Sequence, residues 1–510
     1  MHASLTRPAD PAATPLAEVA ARVGARTVGE VAGVVVTGLS LSSQRVAPGD
    51  LYAAIPGTRA HGAAYSRDAV TGGAVAVLTD TAGEAEARGA GVPVLVVAEP
   101  RPLLGALAGW LYGDPARALR LMAVTGTQGK TTTTRLLESG LQDAGVRAAS
   151  VGTVGTRIDG RDVKTALTTP EAPDLHALFA VMRERQVEAC AMEVSSHALV
   201  MGRVDGVVFD VSAFTNLGRD HLDFHRDMED YFAAKASLFT PERSRIGLTN
   251  VDDPYGRRLR EQADIPMRSF SSSGAEADWR AVDVELRPEG SRFVVVSPAG
   301  DRIAAGVPLT GAFNVANGLC AVALAGEAGF DPAAVAEAIA RSHGVPGRLE
   351  RVDAGQPFLA VVDYAHKPDA LEAALAALRP LTTGRLVLVV GAGGDRDTGK
   401  RPLMGAIGAR HADVLVVTDD NPRGEDPAAI RATLLAGAGE VPRAQRAELV
   451  EIGSRRDAIR HAVSLARPGD TVLVAGKGHE TGQEVGTGDD RVVHPFDDRD
   501  EVRAALEELR

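Results

Sequence analysis

The stretch Ala123-Val124-Thr125-Gly126-Thr127-Gln128-Gly129-Lys130-Thr131-Thr132 constrains this chain more than any other. Apolar residues lead up to Val124, small residues follow, and beyond Lys130 the apolar positions Leu136, Leu137 and Leu141 share one helical face. The spacing predicts a strand, a loop and a helix. Gly126 and Gly129 let backbone N–H groups turn toward one anion, the helix start points its positive dipole end at the same place, and Lys130 adds a full charge. Gly126, Thr127, Gln128, Gly129, Lys130, Thr131 and Thr132 are therefore candidate polyphosphate contacts, with the Thr131 hydroxyl a candidate magnesium ligand. The phosphate-loop pattern is incomplete, because Val124 stands where its first glycine would fall. Taken alone, the loop fits either an enzyme or a nucleotide-gated switch.

At 510 residues the chain exceeds a single core and reads as about three domains. They are placed at 1–118, 119–346 and 347–510. The net charge of −12, from 55 basic against 67 acidic residues, argues against a nucleic-acid or anionic-membrane surface. An anionic ligand must then be held by placed residues. Cys190 and Cys320 both lie in apolar runs and make neither a metal spacing nor a disulfide framework. No apolar run approaches the roughly 18 residues of a membrane span, and the Ala/Pro-rich start has no signal-peptide core. A cytoplasmic monomer acting on small molecules is expected.

Lysine and asparagine are scarce. Lysine occurs only at 130, 164, 235, 367, 400 and 477, and asparagine only at 216, 250, 314, 317 and 421. A chain that uses arginine and aspartate almost everywhere should keep the other two where a point-charge ammonium or a two-way amide is needed. Lys164, in a polar stretch, is the expected exception.

From Val31 to about Ala98 short apolar runs alternate with Gly/Pro turns, suggesting a compact α/β unit with polar loops at Ser42–Arg45 and Pro56–Gly62. Further on, two apolar runs end in polar clusters: Val187–Met192 in Glu193-Val-Ser-Ser-His197, and Val207–Phe214 in Thr215-Asn-Leu-Gly-Arg-Asp-His221. Ligands of doubly wound sheets sit at such strand ends, and Glu193 and His221 supply donors suited to magnesium. His221 and His225 stand four apart, yet no second zinc signature accompanies them. Lys235 sits in a helical pattern beside Phe232 and Phe239, as a snorkelling side chain or something more specific. The last third holds three strand-to-helix starts, ending in Gly393-Gly-Asp-Arg-Asp397, Asp419-Asp-Asn-Pro-Arg423 and Gly476-Lys-Gly-His-Glu480. Arg396, Arg423, Asp420 and Glu480 together suit a zwitterion, guanidinium for carboxylate and carboxylate for ammonium.

These motifs, with Tyr231 to Lys235, Gly311-Ala-Phe-Asn314-Val-Ala-Asn317 and Asp363-Tyr-Ala-His366, run in order along nearly the whole chain, and the set resembles the Mur ligases. The resemblance implies an α/β protein of three domains: a UDP-binding α/β domain, a central phosphate-loop, Rossmann-like ATPase domain and a C-terminal Rossmann-like domain. It implies ATP-dependent amide synthesis in peptidoglycan precursor assembly, in which a D-glutamate γ-carboxylate of a UDP-linked acceptor is phosphorylated and the amine of diaminopimelate displaces phosphate.

By the family pattern Thr131 and Glu193 hold one magnesium, and His221 with a carbamate on Lys235 serves a second. Desolvation of Lys235 would favour the free amine that takes up carbon dioxide. Asn314, Arg348 and Asp363 then contact nucleotide. Thr168, Thr169, Ser195 and Arg203 contact the muramoyl peptide, with Ser43, Thr58 and Arg59 at the UDP end. Arg396, Asp420, Asn421, Arg423, Gly476 and Glu480 form the diaminopimelate pocket. A lysine-adding enzyme would leave Arg423 unpaired, at a cost of several kcal/mol if buried. Two positions depart from the family pattern: Gln128 replaces its usual asparagine, and Ser43-Gln44 stands where Ser-Arg is common.

Overall fold

The computed structural model describes residues 6–57, 60–165 and 167–509. The chain packs as two compact units: residues 1–271 with 275–279 and 320–338, and residues 272–274 with 280–319 and 339–510.

Besides a two-stranded pairing of Thr14–Pro15 with Val35–Val36, the first unit contains two larger sheets among the described residues. The N-terminal one has the order Arg26–Val28, Val94–Val96, Ala76–Thr79, Asp50–Ala54, Gly38–Ser40. Its four strands from Val94–Val96 onward are parallel. Such strands are covered on both faces, which explains why Asp50–Ala54 is buried at every position. The second sheet places Arg120–Thr125 between Ala189–Glu193 and Phe209–Phe214, all parallel, with Ala148–Gly152 outside the former and Ser244–Asn250 and Met267–Ser271 outside the latter. The predicted strand, loop and helix are present as Arg120–Thr125 and Lys130–Asp143, and Leu136, Leu137 and Leu141 are wholly buried. The two sheets join where the helix Leu104–Leu111 meets Asp205. A Cβ on Gly105 would stand 2.1 Å from the Asp205 carbonyl oxygen, so only glycine permits this approach.

The second unit is built on a sheet ordered Glu350–Arg351, Leu359–Asp363, Thr471–Ala475, Leu386–Val390, Val414–Val417, Glu448–Glu451, parallel apart from its first strand. Alternate residues of each strand feed two cores. Leu388, Val390, Leu415 and Leu473 pack with Leu371 and Leu434 of the helices on one face. Val387, Val389, Val416 and Val472 pack with Ile459 and Val502 of those on the other. Covered on both faces, the sheet leaves only its strand ends for chemistry, and the motifs at Gly391, Thr418 and Gly476 follow three of those ends. An antiparallel hairpin of Gly482–Val485 and Val492–Pro495 comes next in the chain.

Candidate active site

Gly126 adopts φ 149°, and a Cβ there would stand 1.9 Å from Thr215 Oγ1. Gly129, at φ 85°, caps the helix Lys130–Asp143 without a side-chain hydrogen bond, and the first turn carries no acidic residue. The N–H groups of a helix's first turn point along its axis and favour an anion there. Thr215 and Asn216, at the strand end after Phe214, clasp the loop. Thr215 Oγ1 donates to the Gln128 carbonyl (2.6 Å), Asn216 Oδ1 accepts from Gln128 N–H (2.9 Å), and Thr127 N–H donates to the Asn216 carbonyl (2.9 Å). Asn216 Nδ2 also reaches the Gln128 carbonyl, so its amide works in both directions.

Two lysines converge on one acceptor. Lys130 Nζ donates to the Gly126 and Thr127 carbonyls at 2.8 and 2.9 Å, and Lys235 Nζ donates to the same Gly126 carbonyl at 2.8 Å. Lys235 is 1% exposed, with its amine 4.5 Å from the centre of the Tyr231 ring. It does not snorkel; the helix Met228–Ala236 drives it inward.

Glu193, in register beside Val124, is buried and held by a residue the sequence did not flag. Thr153 donates its N–H to one Glu193 oxygen (2.7 Å) and its hydroxyl to the other (3.1 Å). A Cβ on Gly152 would sit 2.3 Å from that carboxylate, so Gly152 is what admits it. The proposed peptide contacts gather here. The Thr168 hydroxyl lies 3.2 Å from that of Thr153, Thr169 Oγ1 donates to the Glu193 carbonyl (2.8 Å), and Ser195 N–H donates to Thr169 Oγ1 (3.3 Å). Arg203 reaches the Thr169 carbonyl while its Nε binds Glu171 (2.9 Å).

His221 takes φ 53°, its Nε2 3.2 Å from Asp220, with its ring edge-on to His197 at 4.8 Å. Among the described residues no group of three or more His, Cys, Asp or Glu side chains could hold a metal. A magnesium ion places a smaller demand on the protein, since waters and phosphate oxygens fill most of its shell. Buried Glu193 accepts one bond per oxygen and so retains lone pairs, which fits such an ion. Ser43 lies half-buried in the turn after Gly38–Ser40, and Thr58 and Arg59 fall outside the described residues.

In the second unit, Asn314 is buried with its amide bonded at both ends, to the Thr310 carbonyl (2.8 Å) and Asn317 Nδ2 (3.1 Å). Arg348 lies over the Tyr364 ring at 4.5 Å. Asp363 accepts from the N–H groups of Leu349 (2.7 Å) and Ala365 (2.8 Å). Burial pushes the Asp363 carboxyl up, against the opposing pull of Arg348.

The strand ends of this unit bring Asp420, Asn421, Gly476 and Glu480 together around Lys477, which the zwitterion reading left out. Lys477 is 0% exposed; its Nζ donates to Asn421 Oδ1 (2.7 Å) and the Gly482 carbonyl (2.8 Å) and lies 3.4 Å from Asp420 Oδ1. Asn421 Nδ2 donates to Glu480 (3.0 Å). Burial opposes ionisation of Asp420, but the cations of Arg455 and Lys477 prevail and hold its carboxyl low. Glu480 goes the other way, raised by burial and by the charge of Asp420. Behind them Arg455 and Asp498 form a fully buried ion pair at 2.7 Å. Arg396 is exposed and bonds none of these residues.

Arg423 corrects the selectivity argument. Far from being unpaired without a ligand, its Nε donates to Glu484 (2.8 Å) and its Nη1 to the Gly394 carbonyl (2.9 Å). The carboxylate partner comes from the hairpin, 61 residues along the chain, where no local spacing announces it.

Three family models match in chain order: "Mur ligase family, catalytic domain" over residues 35–110, "Mur ligase middle domain" over 124–325, and "Mur ligase, glutamate ligase domain" over 347–478. The chain is 56% identical over 506 residues to the UDP-N-acetylmuramoyl-L-alanyl-D-glutamate--2,6-diaminopimelate ligase of Streptomyces avermitilis, covering 99% of this chain and 98% of that protein. It is 47% identical to the UDP-N-acetylmuramyl-tripeptide synthetase of Leifsonia xyli subsp. xyli, with 99% and 98% covered. A solved UDP-N-acetylmuramoyl-L-alanyl-D-glutamate--2,6-diaminopimelate ligase superposes with TM-score 0.66 at 32% identity, covering 94% of this chain and 96% of that one. A phosphate loop clasped by a neighbouring strand end, a buried lysine beside it and matches from residue 35 to 478 agree, and the chain belongs to the Mur ligase family.

Proposed function

We propose that this chain joins 2,6-diaminopimelate to the γ-carboxylate of D-Glu in UDP-MurNAc-L-Ala-D-Glu, with conversion of ATP to ADP and phosphate, in the making of peptidoglycan precursors. The observation that carries this is the 56% identity, over essentially the full length of both chains, with a ligase of that name. The acceptor carboxylate attacks the γ-phosphorus of ATP and ADP leaves; the donor amine then attacks the acyl phosphate carbon, and inorganic phosphate leaves as the amide forms.

A carboxylate and a triphosphate repel each other, and this chain offsets that repulsion with the loop N–H groups of Gly126 to Thr132 and the charge of Lys130. Thr131 and Glu193 would hold one magnesium ion, His221 and a Lys235 carbamate a second; bound there, the metal neutralises phosphate charge. The carbamate reading has support in the loop itself. Two ammonium groups on one carbonyl oxygen repel, whereas a carbamate on Lys235 keeps an N–H for Gly126 and turns the repulsion into attraction.

Asn314, Arg348 and Asp363 are assigned to the nucleotide; Thr168, Thr169, Ser195 and Arg203 to the muramoyl peptide; and Ser43, Thr58 and Arg59 to its UDP end. In the donor pocket Asp420 Oδ1 is buried with the Lys477 ammonium 3.4 Å away, and its further lone pairs suit it to a second ammonium. Asn421, Gly476 and Glu480 complete that pocket, with Arg423 and Arg396 for carboxylates. The domains divide at 1–118, 119–346 and 347–510, and the protein works as a cytoplasmic monomer; no helix among the described residues is long and apolar enough to cross a membrane.

Phosphate release from ATP should require both UDP-MurNAc-L-Ala-D-Glu and diaminopimelate. Equal release without them would favour a nucleotide switch, and equal release with lysine would move the chain to a lysine-adding branch.

A further inference from the structure

The Arg423 backbone is strained. Its φ of 51° is one that a side chain with a Cβ adopts at a cost of roughly 1–2 kcal/mol, and such a residue persists only where its surroundings over-determine it. Here the surroundings are the hairpin. Arg423 N–H donates to the Glu484 carbonyl (3.1 Å), and Gly486 N–H donates to the Arg423 carbonyl (2.7 Å). Glu484 N–H in turn donates to Asn421 Oδ1 (3.0 Å), the amide whose other end holds Glu480.

The side chains continue the pattern. One Glu484 oxygen takes Arg423 Nε, and the other takes Nη2 of Arg491, the residue just before the far strand of the hairpin. Arg423 and Glu484 are 21% and 24% exposed, sheltered yet within reach of a ligand. The trio carries one net positive charge, the complement of a single carboxylate. A guanidinium has five N–H donors; Glu484 and Gly394 take one each, fixing the plane and leaving the rest for a ligand.

We propose that Glu484 is a positioning and specificity-determining residue: by holding Arg423 Nε, it aims the remaining guanidinium donors at the distal carboxylate of the amine donor. The proposal rests on the donor-pocket reading above. Glu484 is a fixed anchor, tied through its own backbone and through Arg491, so an incoming carboxylate joins Arg423 without displacing it. A donor lacking the distal carboxylate, such as lysine, gains nothing from this arrangement, and the preference between the two donors is set partly by Glu484.

Glu484→Ala and Glu484→Gln test this in the full-length enzyme, with diaminopimelate and lysine as donors. The alanine variant should raise the KM for diaminopimelate about tenfold while the KM for ATP and the saturated kcat stay within about twofold. The glutamine variant, which keeps an acceptor oxygen, should raise it only about threefold. In the alanine variant the kcat/KM preference for diaminopimelate over lysine should narrow. An unchanged KM overturns the proposal. So does a lower one, which would make Glu484 a competitor of the ligand, and so does an equal rise for ATP, which would mark a general structural effect. Should the alanine variant fail to fold, the glutamine variant decides by the same comparison. A wild-type enzyme without diaminopimelate-dependent phosphate release would instead sink the functional reading.

Discussion

The two units build their anion and cation sites from different material. In the first, the phosphate loop is backbone. Glycine conformations and helix N–H groups make the site, Thr215 and Asn216 clasp it through its own carbonyls and N–H groups, and both lysine amines turn onto a main-chain oxygen. In the second, the donor pocket is made of side-chain charge already in pairs: Lys477 with Asp420, Arg455 with Asp498, Arg423 with Glu484. A backbone site depends on local conformation and tolerates surrounding change, whereas a paired-charge site fails when any one partner is removed.

The hardest test falls on a place where the first unit departs from this rule, the buried side chain of Lys235. Lys235→Ala should lower turnover by at least about a thousandfold if, as proposed, its carbamate holds a metal that neutralises phosphate charge. ATP should still bind, because the loop N–H groups remain. Titration calorimetry of ATP beside a phosphate-release assay reads both, and a small added carboxylate should restore part of the rate. Undiminished turnover would remove the carbamate from the mechanism; lost ATP binding would mean the loop depends on side chains after all.

This contrast also explains what was legible. The phosphate loop, the buried face of its helix and the three strand ends of the C-terminal sheet are local patterns, readable from glycine spacing and apolar runs. Scarcity read further than spacing did. The side-chain amides of Asn216, Asn250, Asn314 and Asn421 each donate and accept, while Lys235 and Lys477 are fully buried and Lys164 is exposed. The partners were not legible. Thr153 holds Glu193 from 40 residues away, Asp498 meets Arg455 from 43, and Glu484 meets Arg423 from 61. Which of many acidic residues closes a pair is decided by sheet order and hairpin register, and neither has a local signature.

A second test breaks a pair in the other unit. Asp498→Ala leaves Arg455 charged, buried and without its carboxylate, which should destabilise the second unit by about 3–5 kcal/mol. Calorimetry should show its melting transition fall while that of the first unit holds. The KM for diaminopimelate should rise as well, since an Arg455 freed of Asp498 competes with the donor ammonium for Asp420. A variant that melts like the wild type would show that paired charge does not support this pocket.

The smallest expected effect concerns a feature the two units share, and so bounds the comparison. Each holds a histidine kept neutral by its surroundings: buried His176 in the first and half-buried His366 in the second, both pushed down to about 4, chiefly by desolvation. His176 Nε2 faces the Asp205 carbonyl and its Nδ1 has no partner, so a second proton there would be an unsatisfied buried donor. His366 Nδ1 faces the Tyr364 carbonyl, and Lys367 and Lys400 further oppose its protonation. Above pH of about 6.5 both imidazoles are neutral folded or unfolded, and their contribution is constant. Below it the unfolded chain takes up protons that the folded chain refuses, so stability falls with pH until the folded value near 4 is reached. Each histidine should remove about 1 kcal/mol over the first pH unit of that window and about 3 kcal/mol across it. Denaturant unfolding from pH 7 to 5 should therefore weaken both units alike, and His176→Gln should flatten the slope of the first unit alone. A slope that survives that substitution would assign the acid sensitivity of the first unit to its carboxylates.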